Sequence, residues 1–206
     1  MPKIIETTVY TFDELNDAAK ENARQWFREA DFFDSEEISE NFATELAELG
    51  YPTDDIRFSL GYSQGDGMAF YGGIEHGPKT LDSLIKRLIP KSSDRRILRR
   101  NRKDSYGEYT ILDNLYIKIE CMNSHYNHYN SMCVDWDYEG NEDLLTPAAN
   151  RVINDFIGSL KMDIKAVSMK LERSGYEIIE WRDSDEVIDE SIIANEYTFT
   201  ESGERF

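Results

Sequence analysis

Apolar positions along this chain switch between a period of two and a period near 3.6, and the switches set out a series of strands and helices. Residues 4–10 (IIETTVY) read as a first strand. Thr11 then opens a helix expected over about 12–30: Glu14 completes a capping box, and Leu15, Ala18, Ala19, Ala23, Trp26 and Phe27 recur at helical spacing. A second helix is expected over 35–49, with Ile38, Phe42, Leu46 and Leu49 inward and with Gly50 and Pro52 ending it. Its other face is Glu36, Glu37, Glu40, Glu45 and Glu48, with no Lys or Arg to pair them.

Ile56, Phe58, Leu60 and Tyr62 alternate with polar or small residues, and apolar residues resume at Met68 after Ser63-Gln64-Gly65-Asp66-Gly67, which predicts a hairpin. A short helix over 80–89 stops at Pro90. Strands around 109–122 and 130–138 form another hairpin, with Tyr116, Lys118 and Glu120 on one face and Ile117, Ile119 and Cys121 on the other. The longest helix starts at Thr146-Pro147, carries Val152, Ile153, Phe156, Leu160, Ile164, Val167 and Leu171 as one stripe, and is expected to be capped by Gly175. A strand over 176–182 (YEIIEWR), an acidic helix over 184–194 and a last strand from Glu196 to Thr200 complete the chain. No repeat or linker divides it. The pattern therefore predicts a single α+β domain over residues 1–206, an antiparallel sheet with helices packed mainly on one face.

Composition agrees with a folded chain. In 206 residues, 40% hydrophobic content with twelve Tyr, ten Phe and three Trp is enough for one good core. There is no signal-peptide pattern and no apolar run near the ~20 residues that cross a bilayer, so a soluble, cytoplasmic protein is expected. Cys121 and Cys133 lack CxxC spacing and read as reduced, buried and inert.

Charge changes the picture more. The net charge is −18, and it is uneven: residues 1–55 hold 15 Asp/Glu against four Lys/Arg, residues 176–206 hold ten against two, and the middle is within one charge of neutral. If the two ends lie together, they form an anionic face that repels nucleic acid and anionic membrane and attracts a basic partner surface. The candidate partner-binding residues are the five glutamates of the second helix together with Asp183, Asp185, Glu186, Asp189 and Glu190. The one basic cluster, Arg95, Arg96, Arg99, Arg100, Arg102 and Lys103, is expected to pair with the protein's own acidic surface or with an acidic patch on a partner, since −18 opposes approach to a phosphate backbone.

Candidate chemistry is sparse. Gly65-Asp66-Gly67 lacks the Lys-Ser/Thr of a P-loop and precedes a strand, so it reads as a turn. His125 and His128 have HxxH spacing and are weak metal candidates, with Cys121, Cys133 or Asp135 as a third ligand. Their run, Ser124-His125-Tyr126-Asn127-His128-Tyr129, reads first as an aromatic hairpin tip in which Tyr126 and Tyr129 suit partner contact. Asp135, Asp137 and Glu139 share one strand face, expected to be solvent-facing. No nucleophile and base stand in a recognisable local motif, so no catalytic residue and no cofactor is assigned. The aromatic strand edge at 126–134 has few blocking charges, which makes a homo-oligomer possible.

Three stretches resemble small acidic proteins encoded by tailed bacteriophages and prophages, some loosely labelled antitoxins: Val9-Tyr10-Thr11-Phe12-Asp13-Glu14-Leu15 running into Ala18–Phe27, Tyr62–Phe70, and Ala194-Asn195-Glu196-Tyr197-Thr198-Phe199-Thr200-Glu201-Ser202-Gly203. The resemblance carries no catalytic residues. It implies a protein that occupies a basic, nucleic-acid-binding surface of host defence or transcription machinery, in the manner of a DNA mimic. The leading expectation is such a non-enzymatic inhibitor; the alternatives are an antitoxin-like module using the hairpin at 122–132 and a metal-dependent hydrolase built on His125, His128 and Asp135.

Overall fold

In a computed structural model of the chain, which describes residues 6–30, 35–104, 107–123, 125–140 and 145–206, the first and last segments pair with each other. A two-residue strand, β1 (Tyr10–Thr11), runs antiparallel to β8 (Thr198–Phe199), with Tyr10 opposite Phe199. The chain divides into two compact units, residues 1–35 with 176–206, and residues 36–175.

In the first unit the capping box forms, with the Glu14 carboxylate accepting from the Thr11 amide at 2.8 Å, but it closes only a 3-10 turn, Phe12–Glu14. Leu15 then goes extended and Asn16 caps a separate helix, α1 (Asp17–Glu29), by accepting the Ala19 amide at 3.0 Å. The single helix expected over 12–30 is thus two pieces, because a second capping side chain offers the backbone an alternative. The strand expected over 4–10 starts only at Tyr10; residues 4 and 5 lie outside the described ones. Helix α6 (Asp185–Ala194) presents Ile188 and Ile192 to Phe12, Leu15, Ala19, Ala23 and Phe199 in one core. Trp26 and Tyr197 meet edge-to-face at 5.3 Å beside it, with the Arg205 guanidinium 4.8 Å from the Tyr197 ring centre. The turn after β8 seats on α1 through Gly203, whose φ of +85° and close approach to the Ala19 carbonyl leave no room for a Cβ.

The second unit is built on a four-stranded antiparallel sheet in the order β2 (Asp55–Ser59), β3 (Gly67–Gly73), β6 (Leu115–Cys121), β7 (Met132–Tyr138). Both expected hairpins are present, and the α+β class with an antiparallel sheet packed against one long helix holds. The helices α2 (Ser35–Leu49), α3 (Leu81–Leu88) and α4 (Ser92–Leu98) fall in this part of the chain, α4 arising from residues with no assigned element in the pattern. The strand expected from 109 instead divides: β5 (Gly107–Tyr109) pairs with β4 (Arg102–Asp104), and a 3-10 turn precedes β6.

The long helix α5 runs Pro147–Arg182, with the Thr146 hydroxyl accepting the Ala149 amide at its start. Val152, Ile153, Phe156, Leu160, Ile164, Val167 and Leu171 are buried as the stripe predicts. The strand expected over 176–182 does not exist: those residues continue α5. Gly175 is not a cap but a buried helical position, where an added Cβ would come within 2.6 Å of Leu60 and 2.9 Å of Phe42. The segment YEIIEWR has strand-like composition, yet Glu177, Glu180 and Trp181 are exposed at helical spacing. Between β3 and β6 the ladder closes only at Gly72 and Gly73. Along the rest of β3, the Phe70 amide meets the Met132 sulfur at 3.3 Å and the Ser168 hydroxyl of α5 donates to the Met68 carbonyl. Among the described residues no helix is long and apolar enough to cross a membrane.

Candidate functional site

The two groups of acidic candidates fall in different units. In the first, Asp185 and Asp189 are each paired within the fold, Asp189 half-buried and Asp185 on the exposed surface. Asp189 takes a bidentate pair of hydrogen bonds from Arg24, Nε and Nη2 both at 2.7 Å, and Asp185 accepts from Arg28 Nη2 at 2.5 Å. The Asp189 carboxylate raises the pKa of Arg24 above its ordinary value. Asp183 is held by its carbonyl, which accepts from Arg28 Nε at 3.4 Å. The arginines lie on α1, too far away in sequence to be matched with these acids by pattern alone. Glu186 and Glu190 remain exposed, in line with Ile193 at i, i+4, i+7 on the outer side of α6. Trp181, which the strand reading left out of any site, is 60% exposed near the end of α5.

On α2, Glu36, Glu37, Glu40 and Glu48 are exposed. Glu45 is not unpaired as expected: Lys170 of α5 reaches it at 2.5 Å. The basic cluster is partly used within the fold. Arg95 donates to the carbonyls of Ile89 and Pro90 at 2.5 and 2.8 Å, capping α3, and Arg99 pairs with Asp82 at 2.6 Å. Of these, the Arg99–Asp82 pair is a pairing with the protein's own acids of the kind the sequence suggested, whereas Arg95 serves backbone carbonyls at a helix end.

The two loops singled out by sequence come together at one end of the sheet. Asp66 is buried and acts as a hub: one carboxylate oxygen accepts from the Gly61 and Ser63 amides, both at 2.8 Å, and the other from the Ser59 and Ser63 hydroxyls at 3.0 and 2.9 Å. The carboxylate thus ties the loop to itself as a turn. Gly65 lies under the Tyr126 ring, so that a Cβ there would stand 3.1 Å from two ring carbons, and a Cβ on Gly67 would stand 2.5 Å from the Asn127 carbonyl. Asn127 in turn donates to the Phe58 carbonyl at 3.3 Å.

His128 caps a 3-10 turn, Tyr129–Ser131, its Nδ1 accepting the Asn130 amide at 3.1 Å. That bond fixes the tautomer: Nδ1 is the acceptor and the ring proton sits on Nε2. Its HxxH spacing therefore serves a turn, and among the described residues no group of three or more His, Cys, Asp or Glu is placed to hold a metal ion; Ser124 lies outside the described residues. Tyr126 is 49% exposed, whereas Tyr129 is half-buried, with Lys165 5.6 Å from its ring centre. Only the first offers the contact area expected of both. Asp135 and Asp137 face solvent on β7, opposite Lys118 and Tyr116, and Glu139 lies past the strand end. The cysteines also differ from expectation: Cys121 is exposed at the end of β6 and Cys133 is half-buried, both as free thiols.

Sequence reasoning missed a polar cluster in the second unit. The Tyr51 hydroxyl donates to Asp163 at 2.5 Å, and Arg87 Nη1 donates to both oxygens of the same carboxylate at 2.7 Å. It clamps the end of α2 and α3 to α5. No local signal marks it, because its members are 36 and 76 residues apart. In comparisons with protein-family models, curated proteins and solved structures, nothing matched this chain.

Proposed function

We propose that this protein is a non-enzymatic binding protein that docks on a basic surface of another protein through the unit made by its two chain ends. One observation carries the reading: the acidic termini belong to one compact unit, in which the sequence places 18 Asp/Glu against six Lys/Arg. The exposed Glu186, Glu190 and Ile193 on α6 and the exposed Trp181 add what charge alone lacks, apolar and aromatic area that gives a charged encounter a lasting contact. The resemblance to phage-encoded proteins narrows the partner to a host protein that handles nucleic acid, whose cationic groove such a surface would fill.

The test is capture from bacterial lysate at low and high salt by four forms: wild type, Glu186→Lys/Glu190→Lys, Trp181→Ala, and Glu36→Lys/Glu37→Lys/Glu40→Lys. Asp185 and Asp189 are left alone because reversing them breaks the α1–α6 pairing. The expected result is a basic protein held by wild type, released by high salt and lost with the α6 variant, with affinity for the purified protein falling roughly tenfold or more. Equal capture by wild type and the α6 variant overturns the assignment to this unit. Loss confined to the α2 variant moves the surface to the second unit.

A further inference from the structure

The end of the sheet where the two loops meet encloses a cleft of about 470 Å³, lined by Gln64, Gly65, Asn123, Tyr126, His128, Asn130 and Ser131. Its volume lies within the ~300–1,000 Å³ of small-molecule sites. Its composition is unlike that of the rest of the molecule: in a chain with 64 charged residues, none of the described residues that line this cleft is charged. Three carboxamides offer paired donors and acceptors, and His128, whose Nδ1 accepts the Asn130 amide, adds an Nε2–H donor. The half-exposed ring of Tyr126 adds an apolar aromatic face among them.

The lining is also held in place from behind. Asp66 fixes the loop that carries Gln64 and Gly65, the Gly65 backbone supports the Tyr126 ring, and His125 meets that ring edge-to-face at 4.6 Å. The buried Ser131 hydroxyl joins the His128 carbonyl at 2.7 Å to the Tyr71 hydroxyl at 2.8 Å. A ligand entering this cleft meets groups that are already positioned, which lowers the cost of ordering them.

We propose that this cleft binds a neutral sugar, a hexopyranoside unit of a glycan. Among the described lining residues there is no cation, which disfavours phosphate, nucleotide and carboxylate ligands, and no carboxylate, which disfavours amines. Hydroxyl groups, each both donor and acceptor, match side-chain carboxamides, while the C–H face of a pyranose ring lies on a single exposed tyrosine. Adenosine, a planar neutral base on a ribose, is the ligand that separates stacking on the Tyr126 ring from recognition of pyranose hydroxyls.

The experiment is a titration of the full chain, followed by amide chemical shifts, with the methyl glycosides of glucose, galactose, mannose and N-acetylglucosamine, and with adenosine as the planar neutral control. The expected result is saturable shifts for at least one sugar, confined to residues 61–67 and 122–132, with a Kd on the order of a millimolar. They persist at high salt, weaken about tenfold or more in Tyr126→Ala, and weaken in Gln64→Ala, an exposed substitution outside the Asp66 hub. No saturable shift with any sugar, saturation by adenosine alone, or shifts unchanged in both variants overturns the proposal.

Discussion

At the residue scale, the most consequential side chains are those whose partners lie far away in sequence. Tyr51 is almost fully buried, and burial, then its bond to Asp163, raises the pKa of its hydroxyl above the ordinary 10.0. A raised value means that the protonated form is favoured by folding, so the contribution is complete below about pH 10 and is lost as alkali ionises the group. Tyr51→Phe should lower the unfolding free energy at neutral pH by about 1.5–3 kcal/mol, the range for a hydrogen bond to a charged group. It should also flatten the fall in stability above pH 10; urea unfolding at neutral and alkaline pH checks both. An unchanged alkaline limb would assign that fall to other groups. Asp66 makes the complementary case for legibility. An aspartate between glycines is a turn signal by its side-chain chemistry, and the hairpin was readable from it. That the same carboxylate would gather four donors was not, since two hydroxyls had to be brought to it by the fold.

At the scale of elements, helix α5 separates local propensity from packing. The apolar stripe from Val152 to Leu171 was legible because it repeats for many turns, as was the start at Thr146-Pro147. Its continuation past Gly175 was not, because glycine before a β-branched and aromatic run reads as an end followed by a strand, and only Phe42 and Leu60 reveal why glycine is there. Two substitutions in this helix should therefore have opposite signs. Gly158 is exposed with nothing within 4 Å of an added Cβ, so Gly158→Ala should stabilise by about 0.5–1 kcal/mol. Gly175→Ala gains the same propensity but drives a methyl into Phe42 and Leu60, and should destabilise by about 1–3 kcal/mol. Thermal unfolding of both decides it; a stabilised Gly175→Ala would mean that the two side chains give way at little cost.

At the scale of the whole molecule, the charge imbalance was legible to the residue, and so was the condition that gives it meaning. Whether the ends meet was beyond the pattern: β1 and β8 are two residues each, too short to declare themselves as partners. The neutralisation by Arg24 and Arg28 was equally hidden, and it offsets the charge of Asp185 and Asp189, the first of which stays on the exposed surface. The first unit still carries three acids for each base in its sequence, so self-repulsion should dominate its response to salt. Hydrogen-exchange protection of α1 and α6 amides should rise between low and moderate NaCl by more than that of β6 and β7. A uniform rise, or a fall in α6, would show that the ion pairs on Arg24 and Arg28 outweigh the repulsion. The antiparallel register of Tyr10 with Phe199 also bears on biosynthesis. During translation the α1 segment emerges early with its aromatic residues uncovered, while the partners that cover Phe12, Trp26 and Phe27 are nearly two hundred codons downstream. The sheet and α3 can assemble in the meantime, so a stalled ribosome or a premature stop codon before Thr198 would leave a nascent chain with a formed hairpin layer and a sticky, acidic N-terminal helix, a species for chaperones and proteases to recognise.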